Sequence, residues 1–345
     1  MATTPGLCRA YVPKTTITDC TLPKPLSRLF KKENVNLSFE ELKDKAEEIF
    51  LSLQISDAER WALEIATRDQ RKNPLWMNQR AGRITASNMK SACRTDPNDP
   101  SVSLLKQICY PGDNKFKSKF AAYGIKNEPV ALICYEEKMK KEHKNFNLQK
   151  AGLLLHGNYP FIGASPDGVV YCECHGTGLV EVKCAYYKEK NSHGLEDGVL
   201  QEDHKNFYQV QTQLLVWNYD YVDFVVWHEE LELQIDRIIK NDDFHKVCVA
   251  QATKFFRLAV LPELLSKYFT LRKNTPLGEN NYEPELTCSC EKPASHPMIT
   301  CENVNCAIKN FHWKCVGVKG KRKSWACSDC QKKMKTKTKR TKNSN

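Results

Sequence analysis

The stretch GASPDGVVYCECHGTGLVEVKC, Gly163–Cys184, decides how this chain reads. An Asp follows Ser-Pro, a short Gly-broken segment intervenes, and Glu181 and Lys183 then sit two apart in an apolar run. Side chains alternate along a strand, so Leu179, Glu181 and Lys183 share one face and Val180, Val182 and Cys184 the other. The segment 173–178 can turn the chain between antiparallel strands, which brings Asp167, at the start of the first strand, beside Glu181. Converging carboxylates repel unless a cation lies between them. A hard divalent ion such as Mg²⁺ or Mn²⁺ suits such oxygen ligands, and Lys183 would then stand ready to orient or deprotonate a metal-bound water, or to neutralise charge on a phosphate. On alternation alone, a solvated surface hairpin is the favoured account of the Glu–Lys pair.

Around this stretch, helical and strand patterns are unevenly distributed. Residues 1–36 lack periodicity and read as an extended lead. Ser38 with Glu41 and Ser56 with Glu59 fit the capping box of two helices. The segment 73–93 breaks at Pro74 and turns at Gly82, and Thr85 or Ser87 would cap a third helix. Helical spacing continues to about His143. Short apolar runs bounded by Gly and Pro follow, as strands are. Phe207, Val210, Leu214 and Trp217 then mark a helix, YVDFVVWH a strand, and 242–271 a helical region interrupted at Pro262. This order predicts an α/β (α+β) domain, a mixed sheet flanked by helices, over 37–271. Residues 272–286 read as a linker.

The net charge of +11 resides wholly in the last sixth of the chain, where residues 288–345 hold 14 Lys/Arg against 3 Asp/Glu. Seven of the 16 cysteines fall between Cys288 and Cys330, a density that suits metal rather than disulfides. No run is long and apolar enough for a transmembrane helix. The first residues lack the apolar core of a secretory signal, and no membrane partner is expected.

SPDG-x12-EVK resembles the PD-(D/E)xK nuclease motif, which implies a restriction-endonuclease-like fold. WMNQRAGRITAS (76–87), YGIKNEPVALICYEE (123–137) and FYQVQTQLLVW (207–217) are similar, in the same order, to segments of the phage lambda exonuclease-like, YqaJ-type viral recombinase nucleases. The resemblance spans roughly 60–270 and sets the solvated hairpin aside. It implies Asp167 and Glu181 as metal ligands, with the Val182 carbonyl able to join, and Lys183 as catalytic lysine. It further implies Glu128 as an additional acidic residue, placed at a helix start by Asn127 and Pro129. Gln211 and Tyr208 would join the site, and Arg80 and Ser87 would contact DNA phosphate. Arg83 is a nearby cation without an assigned role. The family implies exonucleolytic attack on duplex DNA ends and, in its phage member, a ring-shaped trimer. CECH (172–175) matches no ordinary zinc spacing, so its cysteines are expected to pack or stay reduced.

The C-terminal pattern, Cys288, Cys290, Cys301, Cys306, His312, Cys315, Cys327 and Cys330, offers eight ligands for two tetrahedral Zn²⁺ ions. It resembles a PHD finger over 287–331, of the inhibitor-of-growth type. That family's cross-brace would pair Cys288, Cys290, His312 and Cys315 on one ion and the other four on the second. Trp325 fits its packing residue. The usual cage aromatics are replaced by Asn310 and, near the first loop, Ser295 or His296, so trimethyl-lysine reading is not expected. A histone tail or another chromatin protein is the implied partner. Lys319, Lys321, Arg322 and Lys323 form a basic loop, and 332–345 a cationic tail expected to be disordered. Together these features imply a nuclear metal-dependent deoxyribonuclease. The competing readings are a non-cutting chromatin or DNA adaptor and a nuclease for RNA or for nicked or branched DNA.

Overall fold

The computed structural model describes residues 22–113, 118–187, 193–272, 298–303, 306, 310–318 and 324–331. The chain divides into two units, Met1–Pro276 and Leu277–Asn345. Among the described residues no helix is long and apolar enough to cross a membrane.

The larger unit opens on α1 (Phe39–Ser52) and α2 (Asp57–Ala66). In both, the N-cap serine accepts from the amide three residues on, and the Glu there reaches back to the serine's own N–H. Each box satisfies amides that a helix start otherwise leaves unpaired. Then come α3 (Pro74–Arg80), β1 (Ile84–Thr85), α4 (Met89–Arg94) and α5 (Val102–Cys109). Pro74 begins α3 rather than breaking a helix. Asn73 accepts from the Leu75 N–H, and Pro at the first position forfeits no helical hydrogen bond. Neither Thr85 nor Ser87 caps α4; their hydroxyls bond each other at 3.2 Å.

The long helix α6 (Lys119–Glu142) runs through Pro129, with Ser118 as its N-cap. The expectation that Glu128 opens a helix is therefore corrected: it lies in the interior. Ala131, Tyr135 and Met139, four apart, are buried against the sheet, and that packing outweighs the roughly 3 kcal/mol cost of an internal proline.

Next come β2 (Asn147–Gln149), β3 (Leu154–Leu155), β4 (Ile162–Ala164), β5 (Gly168–Cys172), β6 (Gly176–Cys184), β7 (Leu195–Glu196) and β8 (Val199–Leu200). After them lie α7 (Lys205–Trp217), β9 (Tyr221–Trp227), β10 (Gln234–Ile239) and α8 (Asp242–Phe255). A π-helical stretch, Phe256–Val260, joins α8 to α9 (Leu261–Ser266) and α10 (Tyr268–Arg272). The interruption expected at Pro262 thus takes the form of a widened turn just before it.

The main sheet has the order β10-β9-β6-β5-β2. Its β6–β9 pair is parallel and the rest are antiparallel. A smaller sheet, β1-β4-β3, is also mixed. The alternation read in β6 sorts two cores. Leu179, with Val222 and Phe224 of β9, packs with Val210 and Leu214 of α7. Val180, Val182 and Cys184 pack with Ala131, Tyr135 and Met139 of α6. Each fully buried side chain of this kind is worth about 1.5–3 kcal/mol, so a one-residue slip of β6 would exchange both sets at once.

Residues 22–36, expected within an extended lead, instead dock. Leu26 is buried, the Asn34 amide donates to the Leu265 carbonyl at 3.4 Å, and the Lys31 N–H donates to the same oxygen. Residues 1–21 lie outside the described residues, as do almost all of the 272–286 linker and the 332–345 tail.

In the C-terminal unit, β11 (Met298–Thr300) pairs with β12 (Asn310–His312). Phe311 meets Trp325 edge-on at 5.4 Å within a small core containing Ile299 and Val318.

Candidate active site

The turn between β5 and β6 spans 173–175, shorter than the segment read from sequence, and Gly176 (φ +73°) enters β6 in the left-handed region. At the other end of the hairpin the pairing stops at Gly168↔Val180. Beyond it β6 continues along β9 but has lost its antiparallel neighbour. Asp167 fills that gap: its N–H donates to the Val180 carbonyl, and its Oδ2 accepts the Val182 N–H at 2.7 Å. A carboxylate thereby replaces the next rung of the ladder.

Glu181, one residue earlier and 3% exposed, points to the α7 side. Lys183 Nζ lies 2.6 Å from its Oε1. Gln209 Nε2 donates to the same oxygen at 2.5 Å, and Gln213 Nε2 to Oε2 at 2.6 Å. Gln209 and Gln213 are four apart on α7, hence on one face. Gln213 is the second glutamine of the Tyr-x-x-Gln-x-Gln pattern within FYQVQTQLLVW, whereas Gln209 carries no expectation from the sequence. The i, i+4 spacing of two glutamines on a helix otherwise apolar on its buried side was the available signal.

Gln211, the remaining glutamine of α7, makes its side-chain bonds away from the carboxylates. It is buried, but its Nε2 donates to the Ile239 carbonyl at 2.8 Å and its Oε1 accepts the Asn241 N–H at 3.0 Å. Two residues from Gln209 and Gln213, it sits on a different face of α7 and pins the β10–α8 connection instead of the carboxylates.

Glu128, on α6, is half-buried and pairs with Arg71 at 3.3 Å. The four charged groups sense one another. Loss of solvent, then the charges of Glu181 and Glu128, push the Asp167 carboxyl well above the usual range despite Lys183 and the Val182 N–H. Glu128 is raised first by burial and next by Glu181, against the pull of Arg71. Burial works against the Lys183 ammonium, yet Glu181, Asp167 and Glu128 outweigh it and hold its pKa above the ordinary value.

The loop before Asp167 is held from outside the hairpin. Gln70 Nε2 donates to the carbonyls of Ala151 and Pro166, both at 2.9 Å, and Gln70 itself adopts φ +43°, a backbone state uncommon for a non-glycine residue. Trp76 Nε1 donates to Ser165 Oγ at 3.0 Å.

Beside this runs a chain of donors. Arg80 lies 3.9 Å over the Trp76 ring and donates to Thr85 Oγ1 at 3.4 Å, which bonds the exposed Ser87. Burial, and then the neighbouring charge of Arg71, press the Arg80 pKa down to about 10. Arg83, by contrast, is locked by the carbonyls of Pro160, Gln79 and Lys24 and is a structural residue. Tyr208 is buried; its hydroxyl accepts from Arg94 at 3.1 Å, and Lys90 lies 5.8 Å over its ring.

In the C-terminal unit, the ligand atoms of Cys301, Cys306, Cys327 and Cys330 lie within 4.8 Å of one another. Cys306 and Cys327 sulfurs are 3.7 Å apart, close to the roughly 3.8 Å expected of two thiolates on one tetrahedral Zn²⁺. Cys315 Sγ lies 3.9 Å from His312 Nδ1. Cys288 and Cys290, with Ser295, His296 and the basic loop at 319 and 321–323, lie outside the described residues. Asn310 accepts from the Thr300 hydroxyl at 2.9 Å.

The larger unit is thus a mixed α/β domain whose central hairpin ends in a cluster of three carboxyls and a lysine. Residues 75–220, which contain Arg80, Ser87, Glu128, Asp167, Glu181, Lys183 and both site glutamines, match the YqaJ-like viral recombinase domain. Uncharacterized protein R354 of Acanthamoeba polyphaga mimivirus is 30% identical over 184 residues, 51% of this chain and 31% of that one. The C-terminal region resembles the chromatin modification-related protein YNG2 of Candida albicans, 38% identical over 73 residues, 20% of this chain and 24% of that one. The chain therefore covers less than a third of the length of either relative. Among solved structures, an alkaline exonuclease from Laribacter hongkongensis aligns at a TM-score of 0.42 and 22% identity, over 59% of this chain and 97% of that one.

Proposed function

We propose that this protein is a divalent-metal-dependent nuclease acting on duplex DNA ends, directed to chromatin by its C-terminal zinc finger. The observation that carries the reading is the convergence of Asp167, Glu181 and Glu128 around Lys183, where burial and then the Glu181 charge raise both Asp167 and Glu128. Their oxygens, all hard donors, suit Mg²⁺ or Mn²⁺, and a divalent charge would offset both the burial and the carboxylate repulsion that lift the Asp167 pKa. Asp167 and Glu181 would hold the ion, which when bound supplies Lewis-acid polarisation of a phosphate and a more acidic water. Gln209 and Gln213 aim the Glu181 carboxylate. Lys183, its ammonium stabilised by three carboxyls, stays protonated at neutral pH and serves to neutralise charge on the phosphate rather than to act as a base. Arg80, stacked on Trp76 and close to Arg71, offers a guanidinium for a phosphate, with Ser87 beside it. Tyr208, tied to Arg94 and Lys90, contributes a second basic surface.

The finger would hold two Zn²⁺ ions, one on Cys301, Cys306, Cys327 and Cys330, the other on Cys288, Cys290, His312 and Cys315. The YNG2 likeness supports a chromatin partner and nuclear residence. With Asn310 at a cage position, an unmodified histone tail is the better-fitting ligand.

The test is incubation of the full chain with linear and closed-circular duplex DNA, in Mg²⁺ or EDTA, beside Asp167→Asn. Degradation of linear DNA alone, dependent on Mg²⁺ and absent in the variant, is the expected result. DNA binding without cleavage under every condition would leave the non-cutting adaptor. Cleavage of RNA or of branched DNA in preference would reassign the substrate.

A further inference from the structure

We propose that the larger unit holds a structural zinc ion of its own, bound by His143, Cys172, Cys174 and His175. The CECH segment by itself has no ordinary zinc spacing, because its fourth ligand comes from another element. His143 follows the last residue of α6 as its C-cap. Strand β2 pairs with β5 in the register Asn147↔Tyr171, which returns the chain after α6 to the turn between β5 and β6. Glu173 secures that approach. Its N–H donates to the Lys144 carbonyl, and its carboxylate takes the Asn145 amide at 2.5 Å and the Lys144 ammonium at 2.8 Å. Asn145 adopts φ +53° to make the bend.

The four ligand atoms lie within 4.8 Å of one another. Cys172 Sγ and His175 Nδ1 are 3.6 Å apart. Zn–S and Zn–N bonds of about 2.3 and 2.0–2.1 Å at a tetrahedral angle separate sulfur and nitrogen by about 3.5 Å. The two imidazoles of His143 and His175 stand 5.0 Å apart, edge to face. Two thiolates and two neutral imidazoles give a neutral centre with Zn²⁺, and their softness selects zinc over Mg²⁺. Four protein ligands leave no open position, so the role is structural.

The ion would join the C-terminal end of α6, which carries Glu128 and Tyr135, to the turn of the hairpin whose far end carries Asp167. Along β5 those ends are about 17 Å apart at about 3.3 Å per residue, so this centre is separate from the carboxylate cluster. It is separate in chain position, too, from the C-terminal cysteines.

Metal content per full-length chain, measured by mass spectrometry, tests the assignment. Cys174 and His175 are exposed, so Cys174→Ser/His175→Asn removes two ligands without opening a cavity. It should retain the parent's circular dichroism and lose one zinc equivalent. His143→Gln, on the other element, should lose the same equivalent. Cys301→Ser/Cys306→Ser should keep it and, with cobalt exchanged for zinc, retain the visible absorption of a site with two sulfur and two nitrogen ligands. Unchanged zinc content in both Cys174→Ser/His175→Asn and His143→Gln would overturn the proposal. None of these readouts depends on nuclease activity.

Discussion

Two glutamines of one helix should behave differently when each is replaced by leucine, which keeps the volume and removes the amide. Gln211→Leu deletes the bonds to the Ile239 carbonyl and the Asn241 N–H. At about 0.5–1.5 kcal/mol each, the two losses total roughly 2 kcal/mol. For a domain of this size that lowers Tm by about 4–8 °C. The carboxylates are untouched, so the Mg²⁺ dependence of cleavage should be unchanged. Gln213→Leu deletes one bond to the Glu181 carboxylate, at 2.6 Å. A hydrogen bond to a charged group is worth about 1.5–3 kcal/mol, and loss of such a supporting contact typically weakens metal affinity or activity about 10–100-fold. The Mg²⁺ concentration for half-maximal cleavage of a linear duplex should rise accordingly, with Lys183 and Gln209 limiting the loss. Melting and Mg²⁺ titration of both variants make the comparison. If Gln211→Leu shifted the Mg²⁺ response as far as Gln213→Leu while melting normally, the reasoning that assigns Gln211 to the scaffold would be wrong.

Two further outcomes are expected. His245 is 5% exposed, and burial foremost, then Lys240, presses its pKa from 6.5 to about 4; the folded state thus refuses a proton that the unfolded chain accepts at 6.5. Its contribution is intact above pH 6.5 and falls away toward pH 4 by up to about 3 kcal/mol at about 1.4 kcal/mol per unit. His245→Gln should flatten that slope in urea denaturation between pH 7 and 4.5; an identical slope would remove His245 from the account. Asp223, fully buried, binds Arg237 through two bonds of 2.8 and 3.0 Å and accepts from the Tyr135 hydroxyl at 2.6 Å. Asp223→Leu should cost about 3–5 kcal/mol, and adding Arg237→Met should recover part of it; a single variant as stable as the double would contradict a buried-pair origin.

Much of the hairpin was legible because alternation is local. The strict two-residue period of Leu179–Cys184 already separated the α7 face from the α6 face, and Asp167 beside Glu181 followed from a turn between two short strands. The capping boxes at Ser38 and Ser56 were legible for the same reason: donor and acceptor lie three residues apart. Where local rules misled, a tertiary force overrode them. Pro129 reads as a helix start, yet the buried stripe of Ala131, Tyr135 and Met139 carries α6 through it. The residues after Leu22 look unstructured, yet Leu26 and Asn34 find partners more than 200 residues away.

The sequence by itself determined the order of elements, the two faces of β6, the identity of the charged residues at the hairpin and the ligand pattern of the finger, since each depends on neighbours along the chain. Only the tertiary structure decided which glutamines reach Glu181, that Gln70 and Trp76 hold the loop before Asp167, and that His143 meets the cysteines of the β5–β6 turn. Those contacts depend on the rotation of α7 about its axis and on the β2–β5 register, which are set by packing and hydrogen bonding between segments far apart in sequence.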